Sequence, residues 1–223
     1  MGITREMSKI LSTSTAITTD AEISAYNYLS QSTASATYLN QTAYQPGLVL
    51  IRPTSVVNGT IGTNGTVTFS GTTSVSLNGV FSSEYSKYKI LYDATLSIND
   101  GLYFRLRQNG TDSTASIYGS QVLRADGTSA AAVRYTANNV WDIDYTRNSG
   151  NQLCEIELFN PFVASQTYGF SRYTAKLLAD TMQMYFVQQG LTHTANTSYD
   201  GLTLLTGTAT TATGSISVYG YRL

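Results

Sequence analysis

The sequence predicts an all-β protein: an antiparallel β-sandwich, jelly-roll-like, preceded by a short N-terminal segment that is partly helical or extended. Three observations predict it. Short runs in which apolar and polar residues alternate recur from residue 48 onward, the period of a strand with one face buried and one wet. Seven Asn-Gly or Asp-Gly dipeptides fall among those runs, at positions 58, 64, 78, 100, 109, 126 and 200, and such pairs tolerate the positive backbone angles of tight hairpin turns. Charged residues make up only 12% of the chain, about half the usual share. Thr and Tyr, which suit pleated half-buried surfaces, are abundant instead.

Residues 1–46 differ from the rest. Ile3, Met7, Ile10 and Leu11 recur at helical spacing, and Thr19-Asp20-Ala21-Glu22 fits a capping box ahead of Ile23, Tyr26 and Leu29. So few apolar residues build no core of their own, which predicts a docking segment ordered against another surface. Gln45-Pro46-Gly47 marks the boundary, since Pro presets one turn dihedral and Gly permits the next. Residues 47–223 are then the β-sandwich domain.

Within that domain Leu48 to Arg52 reads as the first strand, stopped by Pro53. Val67 and Phe69, then Val75 and Leu77, alternate with Ser and Thr. Tyr88 to Ile98 is the longest run, with Ile90, Tyr92, Ala94, Leu96 and Ile98 on one face. Leu102 to Arg107 sets Phe104 and Leu106 against Tyr103, Arg105 and Arg107. Ile117 to Leu123, Ala132 to Thr136 and Trp141 to Tyr145 follow. Cys154, Ile156 and Leu158 then alternate with Glu155 and Glu157. Lys176 to Leu178, Met182 to Val187, Leu202 to Leu205 and Ser215 to Tyr221 complete the set.

Charge and cysteine usage exclude several function classes. The formal net charge is −1, with 13 basic residues scattered among 14 acidic ones, whereas phosphate recognition needs clustered Lys and Arg; no nucleic-acid partner is expected. No apolar run reaches the length of a membrane-spanning helix, so no membrane insertion is expected. Met1 to Glu6 lacks the basic-then-apolar layout of a secretory signal. With one cysteine, Cys154, an intrachain disulfide is impossible. A surface this poor in charge does little to oppose self-association.

The side chains able to do chemistry are few. His193 is the only histidine, and any Ser-His-Asp or Cys-His centre has to use it. It stands in Gly190-Leu191-Thr192-His193-Thr194-Ala195, a polar loop context, and reads as a structural or solvated residue. Cys154 falls on the inward side of its strand, where a thiol behaves as a small apolar group. Asp142 with Asp144, and Glu155 with Glu157, form paired carboxylates on strand faces. Such pairs serve glycoside hydrolysis or calcium binding, yet alternation alone places carboxylates at outward positions. No zinc pattern, calcium loop or phosphate-binding Gly loop is present. No catalytic residue, cofactor or metal is therefore expected. The 17 tyrosines, among them Tyr85, Tyr118, Tyr168, Tyr173 and Tyr199, are the feature most open to a recognition role, because a rigid ring with a polar tip suits sugar stacking and interfaces.

Several phrases also resemble the C-terminal domains of tailed-bacteriophage virion proteins, found on tail fibres, capsid fibres and decoration proteins. They are Gly47-Leu48-Val49-Leu50-Ile51-Arg52-Pro53-Thr54-Ser55-Val56, Val67-Thr68-Phe69-Ser70-Gly71, the stretch from Ser74 to Tyr85, Phe104 to Asp112, and Leu158-Phe159-Asn160-Pro161-Phe162. The likeness covers most of residues 47–223 and contains no site motif, so it transfers no functional residue. It implies a structural role on the virion surface, usually as a homotrimer, with other virion proteins held through residues 1–46 and host-surface glycan as a further partner. The competing expectation is a carbohydrate-binding module that acts as an isolated monomer. A glycan hydrolase is the third.

Overall fold

The computed structural model describes residues 47–98, 100–126, 129–145, 151–176, 184–207 and 210–222. The predicted docking segment, residues 1–46, lies outside the described residues, as does most of the expected strand at 176–178 and the start of that at 182–187. The strands in chain order are β1 (Gly47–Ile51), β2 (Ser55–Val57), β3 (Thr60–Ile61), β4 (Val67–Thr72), β5 (Ser74–Asn78) and β6 (Lys87–Leu96). Next come β7 (Gly101–Gln108), β8 (Thr111–Asp112), β9 (Tyr118–Asp126), β10 (Ser129–Asn138) and β11 (Trp141–Tyr145). The last are β12 (Asn151–Phe159), β13 (Ser165–Lys176), β14 (Met184–Thr197), β15 (Gly201–Thr206) and β16 (Ala212–Arg222).

They form two antiparallel sheets packed together as a β-sandwich. The broad sheet has ten strands in the order β10-β9-β14-β13-β12-β6-β16-β4-β3, with β1 also paired to β16. The narrow sheet has six, β11-β7-β15-β5-β2, with β8 on β7. The connections explain the pattern of turns. Asn109 and Gly110, with φ of 50° and 77°, close the two-residue hairpin from β7 to β8, the geometry for which Asn-Gly is preferred. The chain's first and last described strands meet, with Gly47 opposite Arg222 and Ile51 opposite Val218. Strand β16 therefore lies inside the sheet, held by β6 on one side and by β1 and β4 on the other.

Alternation builds the core. The broad sheet turns Tyr88, Ile90, Tyr92 and Leu96 of β6, Cys154, Ile156 and Leu158 of β12, and Ile216 and Val218 of β16 inward. The narrow sheet answers with Val75 and Leu77, Leu102, Phe104 and Leu106, Trp141 and Ile143, and Leu202 and Leu204. Each of the larger side chains contributes about 1.5–3 kcal/mol by leaving water. Tyr88 spans this interior with its hydroxyl tied off: the oxygen donates to Ser82 O and accepts from Ser82 N, both at 2.8 Å.

Three expectations change. Ile98 is not on the core face of β6; the strand ends at Leu96 and Ile98 is exposed. Arg107 shares a face with Tyr103 and Arg105, yet it is buried, because the β7–β8 hairpin folds over it. Its guanidinium binds Asp112 and Gly110 O, and also Ser76 Oγ at 3.0 Å, Thr203 Oγ1 at 2.8 Å and Asn78 Oδ1 at 3.1 Å. The third change is larger: β13 and β14 extend over Ser165–Lys176 and Met184–Thr197, where strands of three and six residues were expected.

Candidate functional site

His193 lies on β14, not in a loop. Thr192 and Thr194 look polar in sequence, but Val187, Gln189, Leu191 and His193 take the inward positions of the strand and all four are buried. The imidazole is fully enclosed, edge-on to Tyr118, Tyr199 and Trp141 at centroid distances of 4.4, 5.0 and 6.2 Å. The Trp141 indole N–H donates to Thr192 O at 2.8 Å and fixes this corner. His193 Nε2 lies 3.2 Å from Ser113 Oγ and 3.4 Å from Tyr199 Oη. A serine beside a histidine is the start of a nucleophile–base pair, but among the described residues no carboxylate completes it. His193 Nδ1 has no hydrogen-bond partner among the described residues, where a triad places a carboxylate to orient the ring. Burial also holds the imidazole down at about 4, too acidic for a base working near neutrality.

The other candidates are likewise taken up by packing and pairing. Cys154 is buried, as its alternation predicts. Glu155 and Glu157 do share the outer face of the broad sheet, where cations meet them. Lys89 Nζ is 2.7 Å from Glu155 and 3.9 Å from Glu157, and Arg172 is 2.9 Å from Glu155. Glu157 accepts from Tyr221 Oη at 2.7 Å. The Arg172 hydrogen bond holds the Glu155 carboxyl below the usual range, whereas an acid catalyst of glycoside hydrolysis needs its pKa raised. Asp142 and Asp144 are separated by a register irregularity in the β11–β7 ladder. Asp142 is half-buried beside Arg124, Tyr135 and Gln189, which corrects the expectation of a solvated face; the Asp144 side chain lies outside the described residues. Among the described residues no three His, Cys, Asp or Glu side chains gather as a metal site.

Of the five tyrosines considered for recognition, Tyr85, Tyr118, Tyr173 and Tyr199 are buried. Tyr118 donates to Ser113 O and accepts from Leu106 N, and burial pushes its phenol up to about 12. Only Tyr168, 51% exposed, faces solvent, and it stands in unexpected company. Leu91, Leu123, Leu153, Phe170 and Phe186 are all exposed on the same outer face of the broad sheet.

This face carries two depressions. One, about 470 Å³, is walled by Leu91, Leu153, Phe186 and Tyr219. The other, about 450 Å³, runs across β13, β14, β9 and β10. Register fixes its plan: Tyr168 lies opposite Thr192, which lies opposite Gly119. One row along, Phe170 lies opposite Gly190, Gly190 opposite Gln121, and Gln121 opposite Arg134. The result is a trough with two aromatic rings on one bank, Gly190, Thr192 and Gly119 across its floor, and Gln121 and Arg134 on the far bank. The sequence signal for it is faint: Tyr168 and Phe170 alternate with Thr167, Gly169 and Ser171, so the aromatic residues point out and the small ones point in, the reverse of the usual pattern.

No protein-family model matches the chain, and no curated protein matches it.

Proposed function

We propose that this chain is a non-enzymatic structural protein of a tailed-phage virion surface, a tail-fibre or capsid-decoration component. Residues 1–46 dock it to the particle and the sandwich is displayed outward to contact host-surface glycans. The observation that supports this reading is the division of labour in the sandwich. Its reactive side chains, His193, Cys154 and Glu155, are spent on packing and ion pairs, while six large apolar side chains stand exposed on one sheet face. A large exposed apolar face on a folded domain marks an interaction surface. Cryo-EM and quantitative mass spectrometry of purified particles test the reading: the protein is expected at a fixed copy number in multiples of three. Its absence from particles overturns the proposal.

The second reading, a carbohydrate-binding module, is favoured by the trough beside Tyr168 and Phe170. It is separated from the first by assembly, since a module binds sugar as an isolated monomer and needs nothing from residues 1–46.

A further inference from the structure

A glycine in the middle of a strand weakens it, because it adds backbone entropy and packs nothing. The usual reasons for keeping one are a positive φ or a close neighbour. Among the glycines whose surroundings are described, Gly190 alone has neither. Its φ lies outside the left-handed region, and a Cβ built on it meets no atom within 4 Å. By contrast Gly169, on the opposite side of the sheet, would drive its Cβ to 2.5 Å from Glu157 O, and Gly214 to 2.0 Å from Asp93 O. Packing explains those two and leaves Gly190 unexplained. Gly119, in the next row, would put a Cβ 2.9 Å from Thr192 Oγ1 and 3.5 Å from Tyr135 O. The floor is thus bare at Gly190, a position where the fold tolerates a side chain, and a bare strand position is where a ligand approaches closely.

The banks define the ligand. Phe170 and Tyr168 are 55% and 51% exposed, and the Tyr168 hydroxyl donates to Gln166 Oε1 at 2.6 Å, which steadies its ring. Gln121 anchors its amide nitrogen on Val133 O at 3.2 Å. Arg134 is exposed and has no ion-pair partner among the described residues, whereas Arg172, on β13, is already held by Glu155. Among the described residues that line the trough, Arg134 is the one cation, at the end away from the rings. Phe170 and Arg134 are three strand spacings apart, roughly 14 Å, which is longer than one sugar ring.

We propose that this trough binds an acidic oligosaccharide, stacking one sugar ring on Phe170 and Tyr168 beside the open position at Gly190 and pairing a carboxylate of a later residue with Arg134. The proposal rests on the reading that the displayed sandwich contacts host-surface glycans, and supplies the site and the class of glycan. The test uses the full chain on immobilised sialyllactose and trigalacturonate, with lactose and the methyl ester of trigalacturonate as neutral counterparts. At least one acidic probe is expected to bind more tightly than its neutral counterpart. Gly190→Leu, which enters open space, is expected to keep the thermal midpoint while lowering affinity roughly tenfold or more, the scale of one lost stacking contact. Arg134→Gln is expected to erase the preference for the acidic probe and spare neutral binding. Failure of both acidic probes, or full binding by Gly190→Leu, overturns the site. If binding fails but the protein is still found on particles, the structural reading stands without this site. If binding holds but the protein is absent from particles, the site stands and the virion reading falls.

Discussion

The outward faces of the two sheets obey the same alternation and carry opposite chemistry. On the narrow sheet the outward positions Ser76, Thr203 and Arg107 are themselves buried, and their polar atoms close on one another and on Asp112. On the broad sheet the outward positions include Leu91, Leu153, Phe170 and Phe186, large and open to water. A fold that only had to be stable gains from the first arrangement and nothing from the second. The difference separates what holds the sandwich together from what it offers to the outside.

The largest expected effect tests the narrow sheet. Arg107→Met removes the centre of a buried network and leaves Asp112 short of its cation, a change that costs about 3–5 kcal/mol when one partner of a buried pair is lost. Urea unfolding followed by circular dichroism reads it. A loss under 1 kcal/mol, the scale of a surface ion pair, breaks the claim that this face is a second, polar core.

The next effect comes from the inward side of the broad sheet and depends on pH. Burial holds His193 at about 4, below its ordinary 6.5, so the native state favours the neutral ring. Above pH 6.5 both states are neutral and the site adds no slope. As pH falls from 6.5 toward 4 the unfolded chain takes up a proton that the native protein refuses, and stability falls, by about 3 kcal/mol at most. His193→Gln is expected to flatten the stability curve between pH 6.5 and 5. An unchanged slope in that variant shows that the imidazole titrates freely and is not sealed in its aromatic cage.

The smallest effect belongs to the outer face of the broad sheet. Leu153→Thr and Phe186→Thr keep the strand preference and remove exposed apolar surface, so each is expected to change stability by no more than about 0.5 kcal/mol. Self-association, followed by sedimentation velocity, is expected to weaken. A stability loss several times larger makes this face structural and erases the contrast with the narrow sheet.

The sequence made the sandwich legible wherever outward positions were Ser, Thr, Lys or Glu and inward ones Ile, Leu or Val. Strands β5, β6, β12 and β16 follow from that alternation, and so does the burial of Cys154. Legibility ended at β13 and the second half of β14. There Thr167, Gly169, Ser171 and Gln189 point inward and Tyr168 and Phe170 point outward, so a rule that assigns the apolar residue to the core reads the strand backwards. The same inversion made His193 look like part of a loop. Ion pairing of the carboxylates was invisible for another reason: Lys89, Glu155 and Arg172 are brought abreast by cross-strand register, which one sequence does not reveal. Of the trough, Tyr168 was visible as a residue, but Gly190 carries information only once the emptiness above it is known.

The position of β16 has a consequence for how the protein is made. Among the described strands it follows all the others in sequence, yet it fills the slot between β6 and the β1–β4 edge. Until residues 212–222 have left the ribosome, β6 has an open edge and β1 has nothing to pair with, so the broad sheet stays split while synthesis continues. At translation rates of about 5–20 residues per second, the core waits for β16 before it can close. A chain that stops short of Ala212 then leaves one edge of β6 open and β1 without its partner strand, so the broad sheet does not form whole.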